Sequence, residues 1–196
     1  MKVEQFVMAY KVDQDRIRAI LPGGFVSLRT VMRINTEVRD NERAYLEFNT
    51  PVEADGKRGW LNVGNWEGSE DEVVFLKEGK TTKIKAPFFE LTYTGTGIEG
   101  GCPAEKDNDG CFYIDGEMIE FRPNEKIEKN KEFCDCEFVW KFNEGDAKGV
   151  SIDKTTLPAF SAEQVHEYEK QSFTPENAAA IPCEQVLGSY IVCFDR

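Results

Sequence analysis

A carboxylate, a guanidinium and an amide fall on two predicted strands, and together these groups can bind a small polar ligand or move a proton. Glu47 lies in segment 44–53, where apolar and polar residues alternate as in a strand with one apolar and one polar face. Arg33 and Asn35 hold polar positions of a second alternating segment, 32–38. We therefore identify Glu47 as a candidate catalytic residue, and Arg33 and Asn35 as candidate ligand-binding residues beside it.

Two further residues, Tyr45 and Asn62, complete the candidate ligand-binding set. Tyr45 shares the polar side of its segment with Glu47, and Asn62 belongs to segment 57–66, which returns after the hairpin signal Asp55-Gly56. A two-residue period does not tell which face of a sheet is inside. Two interpretations therefore stay open: the polar face lines a pocket, or it carries ordinary solvent-exposed residues.

Four lysines follow further along the chain, at Lys77, Lys80, Lys83 and Lys85. A lysine with an ordinary pKa of about 10.4 is protonated at neutral pH and is not a nucleophile. Lysines are almost never buried without a partner, so this spacing favours a solvated basic edge. If one of them is instead buried near Glu47, it becomes a candidate catalytic group, and we assign that role to Lys83.

Three motifs could indicate a cofactor, and each lacks a geometric requirement. The glycine pattern at 95–100 is not followed by the helix start that a dinucleotide site needs. The acidic loop 105–116 has glycine where a calcium loop has its closing glutamate. Cys134 and Cys136, with Cys102 and Cys111, do not have the spacing of a zinc knuckle. The sequence therefore predicts no nucleotide and no metal cofactor.

His166 is the single histidine of the chain and stands among glutamates, as on a solvated helix face. Serine or cysteine nucleophiles are commonly activated by a histidine. Hydrolase chemistry of that kind is therefore not indicated.

The charge of the chain limits its partners. Its 24 Lys and Arg oppose 36 Asp and Glu, for a net charge of -12. Such a field repels nucleic-acid backbones and anionic lipid surfaces, which leaves a small molecule as the expected partner. The start of the sequence lacks the apolar region of a signal peptide, so we expect a cytoplasmic protein whose six cysteines stay reduced.

Two-residue periodicity dominates the chain, and it predicts a mostly β fold with two or three short helices in a single domain, 1–196. The predicted strands are 32–38, 44–53, 57–66, 88–94, 111–114, 117–121, 133–142 and 188–194. The predicted helices are 14–21, capped by Asp13, 161–171, opened by a capping box, and one that starts at Thr174-Pro175-Glu176.

Three segments resemble the acetoacetate decarboxylase superfamily. Residues 6–22 resemble its opening strand and helix with a Leu-Pro stop. Tyr45-Leu46-Glu47 with residues 56–59 is similar to its Tyr-x-Glu strand and the following hairpin. Residues 181–190 are similar to its closing Pro-x-Glu-x-Val segment. The matches keep their order and cover about half of the chain.

The resemblance implies an antiparallel β-barrel or cone around a closed pocket, with Glu47 at the position of an active-site glutamate. It also implies homo-oligomerisation by analogy, and decarboxylation of a β-keto acid through a lysine Schiff base. However, residues 74–87, which correspond to the segment that carries Pro-Lys-Lys in the family, contain no adjacent lysines. The chain therefore departs from the family at its catalytic signature.

Three functions remain open from the sequence. The favoured one is a small-molecule binding protein for a carboxylate or keto acid, because the Glu47 strand persists while the lysine pair is absent. The first alternative is a lyase that acts on a β-keto acid through a lysine. The second alternative is an interaction module without a ligand site.

Overall fold

The structure, a computed structural model, describes residues 1–100, 109–125, 127, 129–140, 148–152 and 167–196, with residues 148–152 described by their backbone alone. This part of the chain is mostly β, as expected. Its strands are β1 Lys2–Lys11, β2 Val26–Ser27, β3 Val31–Arg39, β4 Arg43–Ala54, β5 Lys57–Glu67, β6 Val74–Glu78, β7 Thr81–Ala86, β8 Phe89–Glu99, β9 Gly110–Asp115, β10 Met118–Pro123, β11 Glu132–Trp140, β12 Lys148–Ile152 and β13 Gln185–Asp195. Its helices are α1 Gln14–Ile20 and α2 Pro175–Ala179.

The described strands form one sheet in the order β10-β9-β5-β4-β3-β1-β13-β11-β8-β7-β6, with β12 beside β11 and β2 beside β4. Neighbouring strands are antiparallel except β5 and β9, which are parallel. The expected closure into a barrel is not seen, because no pair among the described residues joins β10 to β6. Closure depends on strand tilt and stagger, which the alternation of side chains does not encode.

Strands β3, β4 and β5 are neighbours in the sheet, and short turns join them in sequence. Asp55 and Gly56 both have positive φ, of 49° and 70°, and join β4 to β5 where Ala54 pairs with Lys57. Positive φ at both central residues gives a turn whose twist matches that of the flanking strands. The hairpin predicted at Asp55-Gly56 is therefore confirmed.

The register of strands β1, β3 and β4 separates an apolar face from a polar one. On the apolar face Met8 is opposite Ile34, which is opposite Phe48. On the polar face the next residues along, Val7, Asn35 and Glu47, form the equivalent row. The apolar row belongs to the main hydrophobic core.

Helix α1 begins at the predicted residue, Gln14, and ends at Ile20, one residue before the predicted end. The Asp13 side chain accepts hydrogen bonds from the backbone N–H groups of Asp15 and Arg16, and the chain leaves the helix just before Pro22. Helix α2 is likewise capped by Thr174 and has Pro175 at its start. No helix in the described ranges is long and apolar enough to cross a membrane.

The predicted helix at 161–171 is not observed where the structure can test it. Residues 161–166 lie outside the described residues, and 167–171 are not helical. Instead, the Gln171 N–H donates to the carbonyl of Ala19, and the Lys170 ammonium donates to the carbonyls of Arg18 and Leu21. These bonds satisfy backbone groups at the end of α1, so tertiary contacts override the local helix signal.

Candidate functional site

A cavity of about 340 Å³ lies against the polar face of the sheet, between β1, β3, β4, β9 and β13. Three of the predicted site residues line it: Arg33, Asn35 and Glu47. The segment between β10 and β11 contributes the remaining wall, including Glu125 and Lys131. Of the two interpretations left open by the sequence, the structure supports the pocket.

Glu47 is at the centre of this site and has its carboxylate fully occupied. One oxygen, Oε1, accepts from Asn35 Nδ2 at 2.9 Å and from Arg33 Nη2 at 3.3 Å. The other, Oε2, accepts from the hydroxyls of Tyr45 at 2.9 Å and Tyr113 at 3.2 Å. A carboxylate has about four lone-pair sites. Glu47 therefore serves here as an anchor that orients four side chains.

The two tyrosines hold their protons more strongly than ordinary tyrosines. Burial, and then the negative charge of Glu47, raise the pKa of Tyr45 above its usual value of 10.0. The same two causes, in the same order, raise the pKa of Tyr113. Both hydroxyls therefore remain donors to Glu47 across the physiological pH range.

Arg33 is held by contacts on several sides. Its guanidinium carbon lies 4.1 Å from the centroid of the Trp60 ring, and its Nη2 donates to Asn49 Oδ1 at 3.0 Å as well as to Glu47. A planar guanidinium stacked on an aromatic ring and bound to a carboxylate keeps a defined orientation. Arg33 is thus positioned at the cavity wall rather than extended into solvent.

Three buried polar atoms of this network have no hydrogen-bond partner among the residues that the structure describes. They are Nε of Arg33, Oδ1 of Asn35 and Nδ2 of Asn49. The large majority of buried polar atoms in proteins are hydrogen-bonded. Three exceptions therefore lie in one network, and two of them, on Arg33 and Asn35, belong to residues that line the cavity.

A second glutamate, Glu37, links the site to the rim of the cavity. It is buried and accepts from Arg39 and, through both carboxylate oxygens, from Arg196. Arg196 also donates from Nε to both oxygens of Glu125, at 3.0 and 2.9 Å. Glu125 is consequently compensated by an arginine, as Glu47 is by Arg33.

Lys131 is the lysine that the described cavity wall contains, and the sequence interpretation missed it. Its ammonium lies 4.8 Å from the centroid of the Tyr190 ring on β13. Tyr113 was missed as well. Both residues are remote in sequence from Glu47, and no local pattern links them to it.

The predicted lysines lie elsewhere. Lys83 on β7 pairs with Glu78 at 3.8 Å, and both side chains are largely exposed. Lys77 and Lys85 are also ion-paired with glutamates, Glu4 and Glu90. None of these lysines lines the cavity that contains Glu47. The structure therefore does not bring Lys83 to Glu47.

Two of the predicted ligand-binding residues, Tyr45 and Asn62, do not line the cavity. Tyr45 nevertheless donates a hydrogen bond to Glu47. Asn62 is opposite Asn49 in the sheet and donates from Nδ2 to the carbonyl of Gly64 at 3.4 Å. It lies beside the site and contributes no described contact to Glu47.

The lysine pair that the resemblance implies has no counterpart directly after residues 74–87. Pro87 is followed by two aromatic residues, Phe88 and Phe89. The Phe89 ring centroid is 4.5 Å from that of Trp140, and the Phe88 centroid is 4.4 Å from that of Trp66. These rings pack in the apolar core, and neither can form a Schiff base.

The glycine, acidic-loop and cysteine motifs do not form a cofactor site among the described residues. The glycines at 95–97 continue β8, which extends to Glu99. No group of three or more potential metal ligands occurs in the described ranges. Burial raises the pKa of the Cys134 thiol to about 12, which leaves it a poor nucleophile or ligand. Cys102, residues 105–108 of loop 105–116 and His166 lie outside the described residues.

A larger cavity of about 560 Å³ lies apart from this site, beside Lys2, Glu4, Lys77 and Lys129. Within it the ammonium of Lys77 is bound to Glu4. It includes none of the predicted site residues. The predicted residues Arg33, Asn35 and Glu47 instead line the cavity at Glu47.

Comparison with known proteins supports the fold and leaves the chemistry open. No family model and no curated protein matches this sequence. Among solved structures, an acetoacetate decarboxylase is similar with a TM-score of 0.51 and 13% identity over 98% of this chain and 84% of that one. Acetoacetate decarboxylase from Legionella pneumophila is similar with a TM-score of 0.52 and 13% identity, over 98% and 81%. The chain therefore has an acetoacetate decarboxylase-like fold, and the resemblance noted in the sequence is confirmed at that level.

Proposed function

We propose that this chain uses its acetoacetate decarboxylase-like fold to bind a small carboxylate or keto acid in the cavity at Glu47. The observation that carries the proposal is the pairing of two cationic side chains, Arg33 and Lys131, in one cavity wall. Guanidinium and ammonium groups form the strongest protein hydrogen bonds to carboxylates.

The carboxylates of the wall do not oppose an incoming anion as free charges would. Glu47 is bound by Arg33, and Glu125 is bound by Arg196. Arg33 still has Nε without a partner among the described residues, so a donor on a cationic group remains to be satisfied. An acceptor oxygen of a ligand carboxylate is a suitable partner for it.

The size of the cavity restricts the ligand. Its volume of about 340 Å³ is at the lower end of the range for ligand pockets. The ligand is therefore a compact acid, rather than a long acyl chain or a nucleotide.

The test is isothermal titration calorimetry with acetate, pyruvate and acetoacetate, on the parent protein and two lysine variants. Lys131→Met removes the ammonium from the cavity, and we expect it to weaken binding about tenfold or more. Lys129→Met removes a neighbouring exposed lysine that does not line this cavity, and it should bind like the parent. Equal affinity in both variants would refute the role of Lys131, and absence of binding to all three acids would refute the proposal.

A second function, a lyase that acts on a β-keto acid, is favoured by the presence of Lys131 in the same cavity as Glu47. Borohydride reduction in the presence of acetoacetate, followed by mass spectrometry, tests it. A reduced adduct on Lys131 supports the lyase, whereas an adduct on Lys83 would mean that the exposed edge reacts. Absence of both adduct and binding would leave the interaction module.

A further inference from the structure

The side-chain amide of Asn35 belongs to the cavity wall and has a fixed orientation. Asn35 lines the cavity, is 6% exposed, and uses its Nδ2 to donate to Glu47. This bond fixes the orientation of the amide, because Glu47 accepts and does not donate. The other end, Oδ1, is then an acceptor with no partner among the described residues.

Two donors lie in the same network as this acceptor. Arg33 Nε and Asn49 Nδ2 are both without partners in the described part of the chain, and Asn49 Oδ1 receives Arg33 Nη2 at 3.0 Å. Arg33 and Asn35 line the cavity, whereas Asn49 does not. A ligand in the cavity that complements the two lining residues presents an acceptor to Arg33 and a donor to Asn35. A carboxylate alone supplies only the acceptors.

We infer that the ligand is a hydroxycarboxylate, whose hydroxyl donates to Asn35 Oδ1 while its carboxylate is bound at Arg33. The inference rests on the proposed function and deepens it, because it specifies which class of small acid binds. An oxo acid has a carbonyl oxygen at the position of the hydroxyl. It presents an acceptor to another acceptor, which leaves Asn35 Oδ1 unpaired.

Polar sites can distinguish a hydroxy acid from an oxo acid effectively. A site built to hydrogen-bond a hydroxyl rejects an analogue that lacks it, because its own buried group is then left without a partner. The cost of one such group corresponds to about a tenfold or larger loss of affinity. The expected preference therefore depends on the hydroxyl donor of the ligand and not on the size of the acid.

Three acids of equal carbon number test the inference on the unaltered protein by calorimetry. They are 2-hydroxybutyrate, 2-oxobutyrate and 2-methoxypropionate, the last being an isomer of the first in which the oxygen has no hydrogen. We expect 2-hydroxybutyrate to bind at least about tenfold more tightly than either of the others.

The possible outcomes separate the inference from the function that it rests on. If 2-oxobutyrate or 2-methoxypropionate binds as tightly as 2-hydroxybutyrate, the preference for a donor is refuted and the carboxylate site stands. If none of the three binds, both the inference and the proposed function fail.

A substitution at Asn35 tests whether this residue causes the preference for a hydroxycarboxylate. Asn35→Leu removes the acceptor, so the ratio of affinities for 2-hydroxybutyrate and 2-oxobutyrate should fall to about one. Asn65→Leu, on an exposed residue of strand β5 that does not line the cavity, should keep the ratio of the parent. Thermal unfolding checks that each variant is folded. A ratio that persists in Asn35→Leu would refute the assignment to Asn35, and the three-acid comparison remains decisive if that variant does not fold.

Discussion

The two faces of strand β4 are buried to nearly the same degree but are stabilised by different interactions, apolar packing on one face and hydrogen bonds on the other. Phe48 on the apolar face is 0% exposed, and its neighbour Glu47 on the polar face is 4% exposed. Phe48 packs against the rings of Tyr10 and Trp140. Glu47 instead accepts four hydrogen bonds from side chains.

This difference shows that the same degree of burial has opposite energetic consequences on the two faces. Burying apolar surface contributes about 25 cal/mol per Å², so the apolar face is stabilised by burial itself. Burying a polar group is unfavourable unless it is hydrogen-bonded. The polar face meets this condition at Glu47. Arg33 Nε, Asn35 Oδ1 and Asn49 Nδ2 have no hydrogen-bond partner among the residues that the structure describes. Tightly buried groups without partners are expected at a ligand site rather than in a core.

The largest expected effect is on the apolar face. Phe48→Ala leaves a cavity between Tyr10 and Trp140, and we expect the free energy of unfolding to fall by about 4 kcal/mol. Chemical denaturation measures this change. Binding of small carboxylates should be retained wherever the variant is folded, and a selective loss of binding without loss of stability would break the distinction between the two faces.

The next largest effect is expected at Glu47. Glu47→Leu leaves Arg33 as a buried charge without its carboxylate, which we expect to lower the free energy of unfolding by about 3 kcal/mol. Glu47→Gln should cost only about 1 kcal/mol, because the amide oxygen can still accept from Arg33 and the tyrosine hydroxyls can turn to accept from the amide N–H groups. Equal stability of the two variants would show that the carboxylate does not anchor the site.

A smaller effect is expected from alkaline pH, and it acts on both faces. Burial raises the pKa of Tyr45 on the polar face and of Tyr93 on the apolar face above 10.0. Above about pH 10 the unfolded chain therefore binds fewer protons than the folded one, and stability falls as pH rises. Each such tyrosine contributes up to about 1.4 kcal/mol per pH unit.

Thermal unfolding between about pH 9 and 11 tests this dependence, with Tyr45→Phe and Tyr93→Phe as matched variants. Each variant should show a shallower decline than the parent. A decline that neither variant changes would mean that other groups control the alkaline transition.

The smallest effect is expected at Lys83, whose ion pair with Glu78 is exposed. Lys83→Met should change the free energy of unfolding by less than about 0.5 kcal/mol, because exposed ion pairs contribute little. It should also leave carboxylate binding unchanged. A loss of binding in this variant would make Lys83 a site residue. It would contradict the proposal that the ligand binds in the cavity lined by Glu47 and Lys131.

Local interactions explain the features that could be predicted from the sequence. The alternation around Ile34 and Phe48 predicted the strands, Asp55-Gly56 predicted the hairpin, and Asp13 predicted the start of α1. Each of these depends on residues within a few positions of one another, so the sequence carries the information directly. The sequence also predicted four of the site residues for this reason, because adjacent strands joined by short turns share a face. They are Arg33, Asn35, Tyr45 and Glu47.

Only the tertiary structure decided that this polar face is buried and which other residues reach it. Tyr113 bonds to Glu47 across 66 positions of sequence, and Lys131 enters the cavity from the segment after β10. The sequence offered Lys83 instead, because a lysine-rich strand gives no sign of which cavity, if any, its side chains meet. Strand alternation determines that a face is polar, whereas the covering of that face depends on how distant strands pack over it.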